Sequence, residues 1–139
     1  MQNENTKPLF DSSKKVQSVQ LPIFKLDVIT KELFNEIAEN WARILSDEGQ
    51  KNKSTQIRRF YDELVLWCDR VDGNPEEYKR AEPFIYMMRS KVAYAEGRKT
   101  VSENFKRFMN NLIREIHDAQ TLKNAKLFME AVVGFYKEK

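Results

Sequence analysis

The sequence contains one cysteine, Cys68, and one histidine, His117, among 139 residues. A single cysteine excludes an internal disulfide framework. Zinc sites use three or four ligands drawn mainly from cysteine and histidine, and di-metal helical bundles use two Glu-x-x-His pairs. The chain offers too few of these residues for either kind of site, so we predict no metal and no cofactor.

Glycine and proline are also scarce, with four of each, which argues against a sandwich or barrel of many short strands joined by tight turns. No apolar run approaches the ~20 residues that cross a bilayer, and no signal-peptide core follows Met1. The length suits one domain, and a hydrophobic content of 41% argues against global disorder. We expect a soluble, cytoplasmic protein without membrane contact.

Residues 1–27 differ from the rest of the chain. Residues 1–20 are polar and hold few apolar side chains, which is typical of a flexible tail. Residues 21–27 place four apolar side chains around Pro22, which favours extended backbone and leaves open whether this segment packs on the body. We predict a flexible or extended N-terminal arm over residues 1–27 and a single helical-bundle domain over residues 28–139.

From residue 30 onward, apolar residues recur at steps of three and four, which is typical of amphipathic helices. Within this pattern, Asp72–Pro75 predicts the end of one helix and the start of the next, Pro83 is expected to divide the third helical region, and Thr100–Glu103 matches a capping box. No alternating strand pattern longer than a few residues is present. The sequence predicts an all-α bundle of about five helices, with N-cap candidates at Thr30, Ser54, Asn74, Thr100 and Thr121.

No cluster of residues matches a catalytic site. The oxygen-rich stretch from Asp69 to Glu77 does not have the spacing of a calcium-binding EF-hand loop and is explained by helix-start chemistry. Cys68 lies within an apolar stripe, where buried thiols are inert, and His117 lies near a predicted helix C-terminus. No glycine-rich phosphate loop is present. We predict that the protein is not an enzyme.

The net charge of +3 is carried entirely by residues 54–139, and the densest basic stretch is 86–107, with six basic and two acidic side chains. On a helix, Lys91, Tyr94 and Arg98 align with Met87 along one edge, beside an apolar strip that begins at Phe84. Cations in such a line neutralise phosphates, and a tyrosine offers a ring for stacking. The alternative is that the basic side chains extend over the core edge with Tyr94 packed beneath them.

Two further arginines allow a similar pair of interpretations. Arg58 and Arg59 each have an acidic residue four positions later, Asp62 and Glu63, so both can form ordinary surface ion pairs. On charge alone, nucleic-acid binding is therefore the weaker of the two interpretations.

Three stretches, residues 54–63 (STQIRRFYDE), 91–98 (KVAYAEGR) and 128–137 (FMEAVVGFYK), occur in one order in this chain. Together they resemble the small, all-helical subunit of the type III-A CRISPR effector, the Csm complex. The resemblance covers residues 30–139. Two departures are Ser90, where relatives often carry proline, and Gly134, where they often carry alanine.

This resemblance implies a non-catalytic subunit that lines the filament of the complex and binds the backbone of guide and target RNA independently of sequence. Its implied partners are RNA and the other subunits of the complex. It leaves open the number of copies and which strand is the main contact. Carried over residue by residue, the implied RNA-binding side chains are Gln56, Arg58, Arg59, Lys91, Tyr94 and Arg98.

Filament lining also implies contact between copies, and sixteen aromatic residues are many for one small core to bury. We therefore expect self-association, most simply a homodimer, with exchange of helices across the Asp72–Asn74 turn as one route. Two other functions stay open. One is a helical adaptor or dimerisation protein without nucleic-acid contact, which would use an apolar patch near Trp67 or Met87. The other is a helix-turn-helix DNA-binding protein, which the turn at residues 97–99 fits only loosely.

Overall fold

A computed structural model of the chain describes residues 20–48 and 50–138. A π-helical segment, Leu33–Ile37, runs directly into α1, Ala38–Ser46. The chain continues as α2, Ser54–Val71, α3, Pro75–Gly97, α4, Glu103–Arg114, and α5, Ala119–Phe135. None of the described residues forms a strand, and the prediction of an all-α bundle of about five helices is confirmed. The predicted flexible tail lies outside the described residues, except for Gln20.

Helix α5 packs against α1 and α2, and α3 packs against α2 and α4. The periodic stripes of the sequence form the interior: Phe105, Phe108, Met109, Leu112 and Ile113 of α4 are all fully buried. Burial of these large apolar side chains is the main stabilising contribution to such a bundle. No helix in the described part of the chain is long and apolar enough to cross a membrane.

The arm segment, residues 21–27, lies on the bundle in extended form, with Phe24 and Leu26 in the core. The Phe24 ring contacts three aromatic rings, with centroid distances of 4.6 Å to Phe128, 5.9 Å to Phe108 and 6.3 Å to Trp41. The Leu26 carbonyl accepts a hydrogen bond from the Asn124 amide at 2.8 Å. These contacts join the arm segment to α1, α4 and α5. The sequence had left open whether this segment packs on the body.

The predicted N-cap is right at Asn74 and wrong at the other four positions, Thr30, Ser54, Thr100 and Thr121. Asn74 caps α3, and its side-chain oxygen accepts hydrogen bonds from the backbone N–H groups of Glu76 and Glu77. The prediction is wrong at Thr100, because Ser102 caps α4. Thr100 instead donates its hydroxyl to the carbonyl of Ala95 at 3.1 Å and so serves the end of α3.

At the start of α5 the prediction of Thr121 as N-cap is also wrong. Asp118 is the N-cap, and Thr121 is the third residue of a capping box with it. Helix α2 begins at Ser54 with Lys53 in the N-cap position, and the carboxylate of Glu138 accepts a hydrogen bond from the Ser54 backbone N–H at 2.9 Å. A carboxylate from the far end of the chain therefore supplies this cap. The prediction of Thr30 as N-cap is wrong as well, because Glu32 is the N-cap of the segment Leu33–Ile37, although the Thr30 hydroxyl accepts a hydrogen bond from the Leu33 N–H at 3.2 Å.

The prediction that Pro83 divides the third helical region is wrong, because α3 is one helix of 23 residues. Pro83 is exposed, whereas Ala81 and Ile85 on either side of it are buried. A proline removes one backbone hydrogen bond from the helix interior. Packing of both halves of α3 on the core offsets that loss and keeps the axis continuous.

Asn52 joins the loop before α2 to the loop before α4. Its side chain is fully buried, and its backbone has a left-handed φ of 61°. The amide nitrogen donates to the carbonyl of Leu45 at 3.2 Å, and the backbone N–H donates to the carbonyl of Thr100 at 3.2 Å. The Asn52 carbonyl accepts from the hydroxyl of Tyr136. These bonds hold two loops and the end of α5 together.

Candidate functional site

Helices α2 and α3 form an antiparallel hairpin, which brings together residues far apart in sequence. The turn between them uses Asp72 and Gly73, both in the left-handed region with φ of 47° and 75°. At the end of α2, the Asp72 backbone N–H donates a hydrogen bond to the carbonyl of Cys68 at 2.9 Å. Because the connection is short, the start of α2 faces the end of α3.

A groove of about 520 Å³ lies between these two helices near the end of α3. We call it the basic groove. It contains five of the six side chains that the resemblance singled out, and Arg58 is the one outside it. The lining residues are Gln56, Arg59, Phe60 and Glu63 from α2, Ser90, Lys91, Tyr94, Ala95 and Arg98 from the α3 side, and Thr100.

Tyr94 projects from the protein at the centre of this groove. Its side chain is 66% exposed, so Tyr94 is not packed into the edge of the core. Arg98 donates a hydrogen bond from Nη1 to the Tyr94 hydroxyl oxygen at 3.1 Å, and its Cζ lies 5.6 Å from the ring centroid. The arrangement leaves much of the ring accessible to a ligand.

Among the described residues, Glu63 is the one carboxylate that lines the basic groove, and it has two partners. Its Oε2 accepts hydrogen bonds from Lys91 Nζ at 3.0 Å and from Trp67 Nε1 at 3.3 Å. No ion pair links Arg59 to Glu63 within the described residues; Arg59 instead donates to Gln56 Oε1 at 3.4 Å. The interpretation of Arg59 and Glu63 as a surface pair is therefore wrong, since Lys91 competes for the same carboxylate.

Arg58 lies outside the groove. Its charge acts on the hydroxyl of Tyr61, as does the charge of Glu130 on α5. Burial, and then the negative charge of Glu130, raise the pKa of Tyr61, whereas Arg58 opposes that shift. Successive residues on a helix are about 100° apart, so Arg58 and Arg59 cannot face the same neighbour.

Sequence reasoning named Phe84 and Trp67 but missed that they stack on each other next to the groove. Phe84, expected in the buried strip of α3, is 50% exposed. Its ring stacks on Trp67, with a centroid distance of 5.6 Å and an interplanar angle of 12°. On the other side, the guanidinium Cζ of Arg70 lies 5.2 Å from the Trp67 ring. Spacing could have predicted the exposure of Phe84. Phe84 precedes Met87 by three residues, so both side chains lie on the same edge of α3.

A larger cleft of about 1070 Å³ lies at the hairpin turn and the start of α5. Its charged side chains have both signs, including Asp72, Lys79 and Lys123. Cys68 also lines this cleft, and burial raises the pKa of its thiol, which favours the unreactive protonated form. Within residues 20–48 and 50–138, no group of three or more histidine, cysteine or carboxylate side chains is arranged to hold a metal ion.

Comparison with known proteins gives one match. A family model described as Csm2 Type III-A matches residues 29–139. No curated protein and no solved structure matches the chain. The matched range includes the whole α2–α3 hairpin and the basic groove, and it begins just after the arm segment.

Proposed function

The chain belongs to the type III-A Csm2 family, whose members are subunits of the CRISPR effector complex, and we propose that it binds the RNA backbone through the basic groove while lining the filament of that complex. The groove would bind guide or target strands independently of sequence. In this proposal the subunit contributes no catalysis, and the other subunits carry the chemistry of the complex.

The observation that carries the proposal is the convergence of Arg59, Lys91 and Arg98 around an exposed tyrosine. Cations bind phosphate oxygens of any sequence, and an aromatic face stacks on any base. Tyr94 lies between Lys91 and Arg98 along α3. A strand in the groove would therefore contact a cation, then an aromatic ring, then a second cation. In the part of the chain that the structure describes, no carboxylate other than Glu63 lines the groove to repel the strand.

Charge sets the expected strength of this binding. The net charge of the whole chain is only +3, and Glu63 offsets part of the charge of Lys91. One copy should therefore bind RNA weakly. Several copies along one strand raise the effective concentration for each other, so useful affinity would arise in the assembled complex. Contact between copies is part of the proposal for this reason.

The test is the double variant Lys91→Ala/Arg98→Ala, compared with Lys79→Ala/Arg80→Ala. Both variants lose one lysine and one arginine from α3, and Lys79 and Arg80 lie exposed near the other end of the helix, where Glu76 and Glu77 pair with them. Binding of single-stranded RNA is measured for each across a salt titration, alone and in the assembled complex. Circular dichroism is used to check that each variant is folded.

We expect the groove variant to weaken binding to all sequences about equally. The slope of log affinity against log salt should fall by roughly 0.7 for each phosphate contact that is lost, while the control variant keeps the slope of the parent. The proposal is wrong if the folded groove variant holds RNA in the complex as tightly as the parent at every salt concentration. That result would favour a helical adaptor without nucleic-acid contact.

A further inference from the structure

The exposed edge of α3 continues past the basic groove. Phe84, Met87, Lys91, Tyr94 and Arg98 follow one another at steps of three and four residues, so all five lie on one side of the helix. Phe84 and Met87 are each half exposed. With a rise of 1.5 Å per residue, about 15 Å separates Phe84 from Tyr94 along the axis.

Neighbouring side chains hold the ring of Phe84 in place. We call Phe84 and Trp67 the aromatic step. Trp67 covers one face of the Phe84 ring, and its own indole N–H is hydrogen-bonded to Glu63. Arg70 lies against the Trp67 ring. A ring held in this way loses little side-chain entropy when a ligand stacks on it.

We propose that the aromatic step is a second stacking platform, where the ring of Phe84 binds a nucleobase of the same single strand that occupies the basic groove. This inference rests on the proposed function. The strand would run along α3 from Arg98 and Tyr94, past Lys91, to Phe84, and Arg70 would meet a phosphate beyond it. Stacked nucleotides advance about 3.4 Å each, so no more than about four separate the two rings.

The surroundings of the aromatic step favour a nucleic acid over a protein as its ligand. The centres of protein interfaces are depleted in charged residues, but here Lys91 and Arg70 lie on either side of the rings. Glu63 connects the step to the groove, because the same oxygen binds Trp67 and Lys91. Cations alternating with aromatic faces match the alternation of phosphates and bases in a single strand.

The test uses two variants of the full chain, Phe84→Leu and Phe84→Tyr. Leucine keeps an apolar side chain but removes the aromatic face, and tyrosine keeps that face. Each protein is titrated with single-stranded RNA and with an abasic ribose-phosphate strand of equal length. Fluorescence provides a local signal, because Trp67 lies against Phe84 whereas the second tryptophan, Trp41, is fully buried.

We expect Phe84→Leu to weaken RNA binding about tenfold, within the range for loss of one base–aromatic stack. Phe84→Tyr should retain the parent affinity. Binding to the abasic strand and the salt slope should be the same in all three proteins. RNA should also quench Trp67 emission in the parent, whereas the abasic strand should not.

Two results would overturn the inference and leave the proposed function standing. In the first, RNA binds with the parent salt slope, but Phe84→Leu costs no affinity and the Trp67 emission does not change. In the second, Phe84→Leu weakens only assembly with protein subunits, which would make the aromatic step a protein contact. If the assembled complex with the parent chain binds no RNA, or if Lys91→Ala/Arg98→Ala has no effect there, the proposed function itself is wrong.

Discussion

Asn52 and Ser102 exchange two hydrogen bonds in the interior of the protein. The Asn52 amide nitrogen donates to Ser102 Oγ at 2.9 Å, and the Ser102 backbone N–H donates to Asn52 Oδ1 at 2.8 Å. Ser102 Oγ also caps α4 by accepting from the Phe105 N–H at 3.0 Å. One side-chain pair therefore fixes the loop before α2 and the start of α4, next to the end of α3 that bears Arg98.

Replacing Asn52 should therefore destabilise the whole bundle. Asn52→Ala leaves the buried Ser102 N–H without its acceptor and removes the amide's hydrogen bonds to Ser102 Oγ and the Leu45 carbonyl, and a buried unsatisfied group costs about 1–3 kcal/mol. Alanine also disfavours the left-handed φ, so Asn52→Gly should be the milder change by about 1 kcal/mol. Urea unfolding measures both variants, with Asn110→Ala on α4 as the control. Equal stability of Asn52→Ala and the parent would contradict this account.

Pro83→Ala should stabilise the protein. The substitution restores a backbone N–H that can donate to the carbonyl of Lys79 within the continuous helix α3. Because Pro83 is exposed, no core packing is lost. We expect the free energy of unfolding to rise by about 1–2 kcal/mol, less than the full helix-propensity difference because proline also restricts the unfolded chain. Thermal unfolding followed by circular dichroism checks this, and a lower melting temperature would contradict it.

The capping box at the start of α5 should make stability depend on pH in the acid range. The pKa of the Asp118 carboxyl is lowered chiefly because it accepts hydrogen bonds from the backbone N–H and hydroxyl of Thr121, and His117 adds a smaller effect. The stabilisation is therefore complete above the unfolded pKa of about 3.9 and is lost as the pH falls through the lower folded value.

Asp118→Ala should cost about 1 kcal/mol at pH 7, and the difference from the parent should shrink towards pH 2. Asp118→Asn keeps a capping oxygen without a titrating proton, so its stability should vary less than that of the parent over the same range. Unfolding in urea at several pH values measures all three proteins. If the loss of stability caused by Asp118→Ala became larger as the pH falls, this account of the capping box would be wrong.

Glu63→Gln should strengthen RNA binding if the basic groove is the RNA site. Glutamine can still accept a hydrogen bond from Trp67, but it no longer neutralises Lys91. One further effective phosphate contact should raise the magnitude of the salt slope by roughly 0.7. Glu103→Gln serves as the control, because Glu103 pairs with Arg107 on α4. Unchanged affinity and slope in Glu63→Gln would argue that Lys91 does not touch phosphate.

Self-association of the isolated protein stays a prediction. Ile23 and Leu66 expose large apolar surface in addition to the aromatic step, and contact between copies would cover such surface. We expect the mass measured by light scattering to rise with concentration toward that of a dimer. A monomer mass that stays constant up to high micromolar concentration would count against it.

The helices could be predicted from sequence because burial repeats every 3.6 residues, but apart from the start of α3 at Asn74 their N-caps could not. Thr100 and Ser102 are both good caps by residue type. The structure uses Ser102, since Asn52 binds its backbone and hydroxyl, while Thr100 serves the end of α3. A contact across 50 residues makes that choice, and no local pattern contains it.

The basic groove could be predicted in part for a similar reason. Spacing on one helix aligns Lys91, Tyr94 and Arg98, and that alignment needs no tertiary information. Whether Arg58 or Arg59 faces α3 depends on the rotation of α2 about its axis, which the whole core decides. The partner of Glu63 lies 28 residues away on another helix, so the i, i+4 rule selected Arg59 wrongly.

Phe24 shows that the packed core of this structure extends beyond the region that the family model matches. The family match begins at residue 29, yet Phe24 and Leu26 lie before it and are buried in the core. A protein that began at residue 29 would carry an open slot lined by Trp41, Phe108 and Phe128. The start of the matched region and the start of the packed core are therefore different residues in this structure.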